Sequence, residues 1–361
     1  MTRPLPAFLV LFIVLVAHCV SVYAESRAAN LLKKADDWFV SDHGRKTLEN
    51  ILSWQTRHGD WPKNVDTTSH PASADRQQAA GTFDNGATTG ELRVLARAFR
   101  VTGEVRYQQA FLLGFDHVLA AQYPNGGWPQ FFPLSKKYHR HITFNDGTMI
   151  HLMELLRDAT HGKDFELLDA DRRSAAGRAI ERGIDCIVKC QVVVDGTLTV
   201  WCAQHDAETL VPVQARSYEL ASLSGAESAG IINFLMSLDN PTPDVVRAVK
   251  AGVAWFDAVK IEGYRYGLSN SDAALTKATT AQPLWARFYE IKSNRPIFCD
   301  RDGVVKYDIR EISSERRNGY AWYGTWGSNV LKSYDKWLQR IGEEKGISRM
   351  ALTEAEHFIA E

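Results

Sequence analysis

The sequence predicts an all-α protein in which helical hairpins are arranged around a ring, with long loops that form a cleft on one face. Two observations predict this fold. Apolar residues recur at three-to-four spacing along most of the chain, which is the period of an amphipathic helix. A pair of short motifs also occurs twice, at a separation of roughly 60 to 70 residues, and self-similarity of that length is typical of stacked helical units.

The helical spacing is clearest in six segments: residues 92–99, 110–121, 149–156, 175–190, 231–238 and 245–256. Strand signals are few and short, such as residues 197–200. Residues 66–80 are polar, contain a proline and lack periodicity, so we expect a long loop there and not a domain boundary. Because no linker-like composition divides the chain, a single domain is expected.

The repeat consists of a tryptophan motif followed by a turn motif. Residues 59–63 (GDWPK) recur as residues 126–130 (GGWPQ), with a weaker echo at 200–204 (VWCAQ). After the first two, residues 82–86 (TFDNG) match residues 143–147 (TFNDG), and an amphipathic helix follows each. We therefore expect three hairpins and an irregular C-terminal portion.

The N-terminus has the pattern of a secretory signal peptide. Arg3 supplies a positive charge, residues 7–17 are apolar, and residues 22–24 (VYA) form a small-x-small cleavage site. The apolar run is shorter than the roughly 20 residues that span a bilayer, which disfavours a membrane anchor. We expect cleavage after Ala24, a mature domain at residues 25–361, a secreted or periplasmic location and no membrane association after cleavage.

Composition excludes some classes of partner. The net charge of −1 gives no overall electrostatic bias, so neither nucleic acid nor an anionic membrane is an expected partner. Ten Trp, twelve Tyr and sixteen Phe suit a cleft that stacks on sugar rings, although many of these residues are expected in the core.

Four cysteines remain after the predicted cleavage: Cys186, Cys190, Cys202 and Cys299. An even number in an exported protein permits disulfides, and four cysteines allow three pairings. Free thiols are the alternative, and both are favoured over a zinc site because the sequence has no CxxC pair.

The repeated turn motif carries the first candidate site. Asp84 and Asn85 in one copy, and Asn145 and Asp146 in the other, precede helices, where such residues often serve as N-caps. The repeat places both pairs on the same loop face. Two carboxylates with amide oxygens suit a hard cation such as Ca²⁺, with water and substrate completing its coordination.

Arginines form the second candidate set. Arg216 lies in residues 215–219 (ARSYE), Arg287 in residues 283–290 (PLWARFYE) and Arg301 in residues 299–303 (CDRDG). Glu227 begins the helix that follows Arg216. Guanidinium groups bind carboxylates through paired hydrogen bonds, so calcium and several arginines together indicate a polyanionic ligand.

Several side chains of the repeats are candidates to line the cleft. They are Lys63 and Trp61 in the first copy, and Trp128, Gln130 and Tyr138 in or near the second. For each aromatic residue, packing in the core is the alternative to stacking on a sugar.

These motifs resemble those of the family-10 polysaccharide lyases, which are pectate lyases. The resemblance rests on residues 125–133 (NGGWPQFFP), 141–147 (HITFNDG), 201–206 (WCAQHD), 215–219, 283–290 and 319–324 (GYAWYG). It extends from about residue 29 to residue 326.

The resemblance implies an (α/α)₃ toroid that cleaves polygalacturonate by calcium-dependent anti-β-elimination. It implies that Asp84, Asn85 and Asp146 surround a substrate-bound calcium and that Arg216 is the Brønsted base. Arg287 and Arg301 are implied to bind substrate carboxylates, with Lys63 as a further substrate contact.

Two other functions stay open on the residues alone, and a monomer is expected in each case. One is a glycoside hydrolase that uses Asp84 and Asp146 as its acid and base. The other is a non-catalytic pectin-binding protein on the same fold, against which the retention of Asp84, Asp146 and Arg216 argues.

Overall fold

A computed structural model of the chain describes residues 26–73, 79–269 and 272–344, so the predicted signal peptide lies outside the described residues. Helices dominate the described part, as predicted. The α-helices there are α1 (Asp36–Val40), α2 (Asp42–Ser53), α3 (Thr89–Thr102), α4 (Val105–Ala120), α5 (Thr148–His161), α6 (Ala170–Cys190), α7 (Gly225–Met236), α8 (Pro243–Ala258), α9 (Ser314–Asn318) and α10 (Gly327–Glu344). The six predicted segments coincide with α3 to α8, to within two residues where they extend past a helix end.

Two long helices, α2 and α10, are absent from the sequence-based prediction. The helix α2 has few apolar residues and buries polar ones such as Thr47 and Asn50 beside them, so its composition does not mark it as a core helix. The helix α10 has a clear signal, since Val330, Trp337 and Ile341 are buried at helical spacing. The prediction of an irregular C-terminal portion is therefore wrong for this helix.

The strands are short and pair antiparallel in twos. They are β1 (Ile142–Thr143), β2 (Val193–Val194), β3 (Thr197–Leu198), β4 (Gln204–His205), β5 (Leu223–Ser224), β6 (Tyr264–Ser269), β7 (Asp272–Lys277), β8 (Trp285–Ala286), β9 (Phe288–Tyr289), β10 (Phe298–Cys299), β11 (Val305–Lys306) and β12 (Tyr323–Gly324). Their pairs are β1–β4, β2–β3, β5–β9, β6–β7, β8–β12 and β10–β11. Several of these pairs join loops that are distant in sequence, and the predicted strand signal at 197–200 corresponds to β3.

A buried tryptophan joins each main loop to the helix before it. The indole N–H of Trp61, Trp128, Trp201 and Trp285 donates to the carbonyl of Ile51, Val118, Ile187 and Phe256, at 2.7, 2.9, 2.7 and 2.9 Å. All four side chains are fully buried, so Trp61 and Trp128 belong to the core and do not stack on a ligand. The contact at Trp285 identifies a fourth repeat unit, one more than the sequence predicts.

The units build two series of helices. Within one series, α3 contacts α5, α5 contacts α7 and α7 contacts α10, while α4, α6 and α8 contact one another in order in the second. The two repeated turns, 3₁₀-helices at Asp84–Gly86 and Asn145–Gly147, contact each other. The repeat therefore brings its two polar turns together, as predicted. In the described part of the chain, no helix is long and apolar enough to cross a membrane.

Candidate functional site

The two polar turns have the same backbone geometry. Asn85 and Asp146 occupy equivalent positions in them, with φ of 54° and 50°, in the left-handed region that Asn and Asp tolerate better than most residues. The interpretation of these residues as helix N-caps is wrong, because the N-caps of α3 and α5 are Thr88 and Gly147 and no side chain caps either helix. The side chains are thus available for other contacts.

Asp84 is a buried carboxylate with two donors on one oxygen. Its Oδ2 accepts a hydrogen bond from Lys63 Nζ and another from Gln130 Nε2 at 2.6 Å. Its Oδ1 is buried and has no hydrogen-bond partner among the described residues. Burial raises the pKa of Asp84, the charge of Lys63 opposes this, and the charge of Asp146 adds to the rise.

Asp146 and the fully buried Glu227 share one guanidinium. Arg287 Nη2 donates to Asp146 Oδ1 at 2.9 Å and to Glu227 Oε1 at 2.6 Å. Burial alone would lower the pKa of Arg287, but nearby negative charge, that of Glu227 first, raises it well above its ordinary value. Ser224, which caps α7, donates to the other oxygen of Glu227. This network holds Asp146 beside the neighbouring turn.

Arg216 lies in a third cluster. Its Nε donates to Glu219 Oε2 at 2.7 Å and its Nη2 donates to Glu219 Oε1. The hydroxyl of Tyr320 donates to the same carboxylate at 2.7 Å. Burial alone would lower the pKa of Arg216, but the hydrogen bonds and charge of Glu219 outweigh it and raise the pKa. The Cζ of Arg287 lies 4.8 Å from the centre of the Tyr320 ring, which connects this cluster to Asp146.

Arg316 is a buried arginine that sequence analysis missed. Its Cζ lies 4.3 Å from the centre of the Tyr218 ring and 5.7 Å from that of Tyr320, the rings that Arg216 also contacts. Its Nε is buried and has no hydrogen-bond partner in the described part of the chain. A buried donor without a partner is costly, so Arg316 is a further candidate residue of the site.

Two further predicted site residues, Arg301 and Asn85, lie at the edges of these clusters. The side chain of Arg301 is 66% exposed and pairs with Glu315 at 3.1 Å. Asn85 lines a cavity of about 350 Å³ together with Lys63 and Glu91. The structure thus brings together Lys63, Asp84, Asp146, Arg216 and Arg287, and leaves Arg301 on the surface.

The residues at the turns fit a calcium ion. Buried oxygens without a hydrogen-bond partner in the described chain, Asp84 Oδ1 and Asn145 Oδ1, lie in the adjoining turns, and oxygen is the ligand that calcium prefers. Among the described residues, no group of three or more His, Cys, Asp or Glu could hold a metal ion. A calcium ion here would therefore take further oxygens from a substrate or from water.

Three further residues of the site, Glu219, Glu227 and Arg316, differ in how visible their roles are in the sequence. Glu219 follows Arg216 by three positions, a spacing that allows an ion pair in one turn, and its motif is part of the family resemblance. Glu227 is recognisable only as an acid in the first turn of an apolar helix. Nothing local distinguishes Arg316 from its neighbour Arg317, since only the fold buries the first.

Comparisons with known proteins show the family to which the chain belongs. The family model of pectic acid lyases matches residues 55–331. A family 10 polysaccharide lyase from Cellvibrio cellulosa is 36% identical, covers 86% of this chain and 96% of its own, and superposes with a TM-score of 0.76. A mutant of a family 10 polysaccharide lyase from the same organism, in complex with trigalacturonic acid, is 35% identical. It covers 86% of this chain and 97% of its own, and it superposes with a TM-score of 0.76. No curated protein matches. The chain belongs to the pectic acid lyase family.

Proposed function

We propose that this protein is a calcium-dependent pectate lyase that cleaves polygalacturonate by anti-β-elimination and releases 4,5-unsaturated oligogalacturonates. The observation that carries the proposal is the contact between the Asp84 and Asp146 turns beside the guanidinium groups of Arg216 and Arg287. Buried oxygens without hydrogen-bond partners suit a cation, and guanidinium groups suit carboxylates. A polymer of galacturonate with bound calcium provides both.

The substrate class has support from the related structures. The similar lyase from Cellvibrio cellulosa was solved with trigalacturonic acid. In this chain, the Nε donor of Arg316 is buried without a hydrogen-bond partner among the described residues, and the side chain of Arg216 is 40% exposed. Arg287 and the exposed Arg301 are the further candidates for binding carboxylates along the polymer.

The chemistry requires removal of a weakly acidic proton from C5. Asp84, Asn85 and Asp146, together with the substrate carboxylate, would hold a calcium ion, which would stabilise the negative charge that develops next to C5. Arg216 in its neutral form takes the C5 proton, the pair of electrons forms the C4–C5 double bond, and the C4–O bond breaks. The leaving oxygen is protonated from solvent. Lys63 and Gln130 keep Asp84 oriented during this step.

The pH dependence follows from the base. A guanidinium is protonated at neutral pH, and Glu219 raises the pKa of Arg216 further. The neutral form becomes more populated as the pH rises, so we expect the rate of elimination to increase from neutral to alkaline pH.

The remaining expectations form part of the same proposal. We propose that the helical units close into a toroid, that a signal peptide is removed after Ala24, and that the mature protein acts as a secreted or periplasmic monomer. The N-terminal sequence supports the export.

One assay tests the function. Purified mature protein is incubated with polygalacturonate, and the ultraviolet absorbance of unsaturated uronate is followed with and without a chelator. A rise that the chelator abolishes and added calcium restores supports the proposal. New reducing ends without that absorbance would indicate a hydrolase, and no change in either signal would indicate a binding protein.

A further inference from the structure

Glu219 is a buried acid whose partners are residues of the candidate site. Its side chain is 2% exposed. Both carboxylate oxygens accept hydrogen bonds from Arg216, and one of them also accepts from the Tyr320 hydroxyl at 2.7 Å. The backbone N–H of Glu219 donates to the Arg216 carbonyl at 2.9 Å, which closes a tight turn between the two residues.

These contacts restrict the guanidinium to one orientation. Glu219 engages Nε and Nη2 of Arg216, which leaves Nη1 for a ligand. The Cζ of Arg216 also lies 5.0 Å from the centre of the Tyr218 ring and 5.9 Å from that of Tyr320, while 40% of the side chain stays exposed. A guanidinium held along one edge and over two rings loses little further freedom when it reacts.

We propose that Glu219 is a positioning residue, which fixes the guanidinium of Arg216 so that its Nη1 edge meets C5 of the substrate. This inference rests on the proposed function, in which Arg216 is the base. Tyr320 extends the arrangement, because its hydroxyl holds Glu219 while its ring lies against Arg287. The carboxylate of Glu219 and the ring of Tyr320 thereby fix the position of Arg216 relative to Arg287.

The charge of Glu219 opposes catalysis, whereas its hydrogen bonds favour catalysis by positioning Arg216. Its negative charge favours the protonated form of Arg216, which is the form that cannot accept a proton. Other groups also act electrostatically on Arg216 or share its rings: Tyr218, Tyr320, Asp84, Tyr138, His139 and Arg316. Glu219 is the carboxylate that touches the guanidinium, so its removal is expected to change the pH profile most.

Two substitutions separate position from charge. Glu219→Gln removes the charge and replaces one of the two acceptor oxygens by an NH2 group that cannot accept from Arg216, whereas Glu219→Asp keeps the charge and both acceptors but withdraws them by one methylene. For Glu219→Gln we expect kcat at its alkaline limit to fall about 10- to 100-fold with KM little changed, because misplacement by about 1 Å has effects of this size. The acid limb of its pH profile moves to lower pH. For Glu219→Asp we expect a similar fall in kcat without movement of the acid limb.

The measurement is kcat and KM on polygalacturonate from neutral to alkaline pH, with thermal unfolding of each variant as the check on folding. Tyr320→Phe is the matched variant that removes a hydrogen bond to Glu219 without removing charge, and its acid limb should stay in place. Folded variants that keep the wild-type kcat and profile would overturn the inference, as would a rise in KM alone. If Glu219→Gln does not fold, Glu219→Asp with wild-type kcat overturns it as well. If the wild-type protein forms no unsaturated product, the proposed function fails instead.

Discussion

Asn85 and Asp146 adopt nearly the same left-handed conformation, φ 54° and ψ 33° against φ 50° and ψ 29°, at equivalent positions of two repeated turns. The residue types at the adjoining positions are exchanged between the copies, Asp84 and Asn85 in one and Asn145 and Asp146 in the other. One turn therefore presents its carboxylate before the left-handed residue and the other presents it on that residue. The copies thus supply two carboxylates from different positions to one site.

Asp84→Asn should abolish calcium-dependent activity while leaving the protein folded. The amide can keep its oxygen against Lys63 and Gln130, which donate to Oδ2, while its NH2 group replaces Oδ1 and so removes a carboxylate from the proposed ligands. We expect kcat/KM to fall at least about 100-fold, the scale found when one group that stabilises developing charge is removed. Calorimetric titration with calcium should show weaker binding.

The matched control for that change is Asp116→Asn, an exposed aspartate on α4 that pairs with Arg172. It should leave both activity and calcium binding unaltered. Equal calcium affinity in Asp84→Asn and the wild type would contradict the assignment of Asp84 as a ligand.

Arg287→Ala should destabilise the fold as well as lower activity. The substitution leaves Glu227, whose side chain is fully buried, without its guanidinium partner. Breaking a buried pair in this way costs about 3–5 kcal/mol, which denaturant unfolding would measure. Arg301→Ala, on the exposed pair with Glu315, should leave the unfolding midpoint unchanged. The prediction fails if the two variants unfold at the same denaturant concentration.

Glu91 should make the protein less stable as the pH rises through the weakly acidic range. Burial raises the pKa of Glu91 to about 7 from an ordinary value of 4.5. The folded state therefore binds the proton more tightly than the unfolded state, and the stability this provides is complete below about pH 4.5 and lost by about pH 7. Each pKa unit corresponds to about 1.4 kcal/mol.

The test is Glu91→Gln, which keeps the shape and cannot ionise. Unfolding free energies measured at mildly acidic and mildly alkaline pH should differ less for this variant than for the wild type, with the gain at the alkaline end. Parallel pH profiles for the two proteins would rule out a proton on Glu91 in the folded state.

The cysteines should be unreactive thiols in the native protein. Cys186, Cys190, Cys202 and Cys299 are buried and free in the structure, and burial raises the pKa of Cys202. A thiol reagent should label the native mature protein slowly and label four thiols after denaturation without reductant. Fewer than four labelled thiols in the denatured protein would show that a disulfide forms.

Sequence predicted most of the helices because their apolar faces are periodic, and it predicted the meeting of the two turns because the repeat is explicit. It did not predict the fourth unit. There the motif around Trp285 lacks the glycine and proline that mark the first two copies, and only the indole contact to Phe256 reveals the equivalence. The fourth unit is therefore identified by a packing contact, which cannot be read from a single sequence.

The residues of the candidate site also fall into two groups, those recognisable from sequence motifs and those placed there by tertiary packing. Asp84, Asp146 and Arg216 stand in motifs that sequence analysis recognises, and the structure places them close together. Arg316 and Tyr320 join the site through burial and ring contacts between segments distant along the chain, whereas the Arg301 side chain is 66% exposed at the edge of the same cluster. Such differences depend on tertiary packing and have no local pattern.

The indole contacts that join each loop to its preceding helix also have a consequence for how this fold can change. Each loop is fixed at its base by a bond inside the core, so insertions or substitutions nearer its tip need not disturb how neighbouring helices pack. The base of each loop, at its tryptophan, therefore maintains the scaffold, while the tip of the same loop can change its ligand preference. A library that varies residues beyond the tryptophans should accordingly retain a larger fraction of folded members than one that varies the tryptophans themselves.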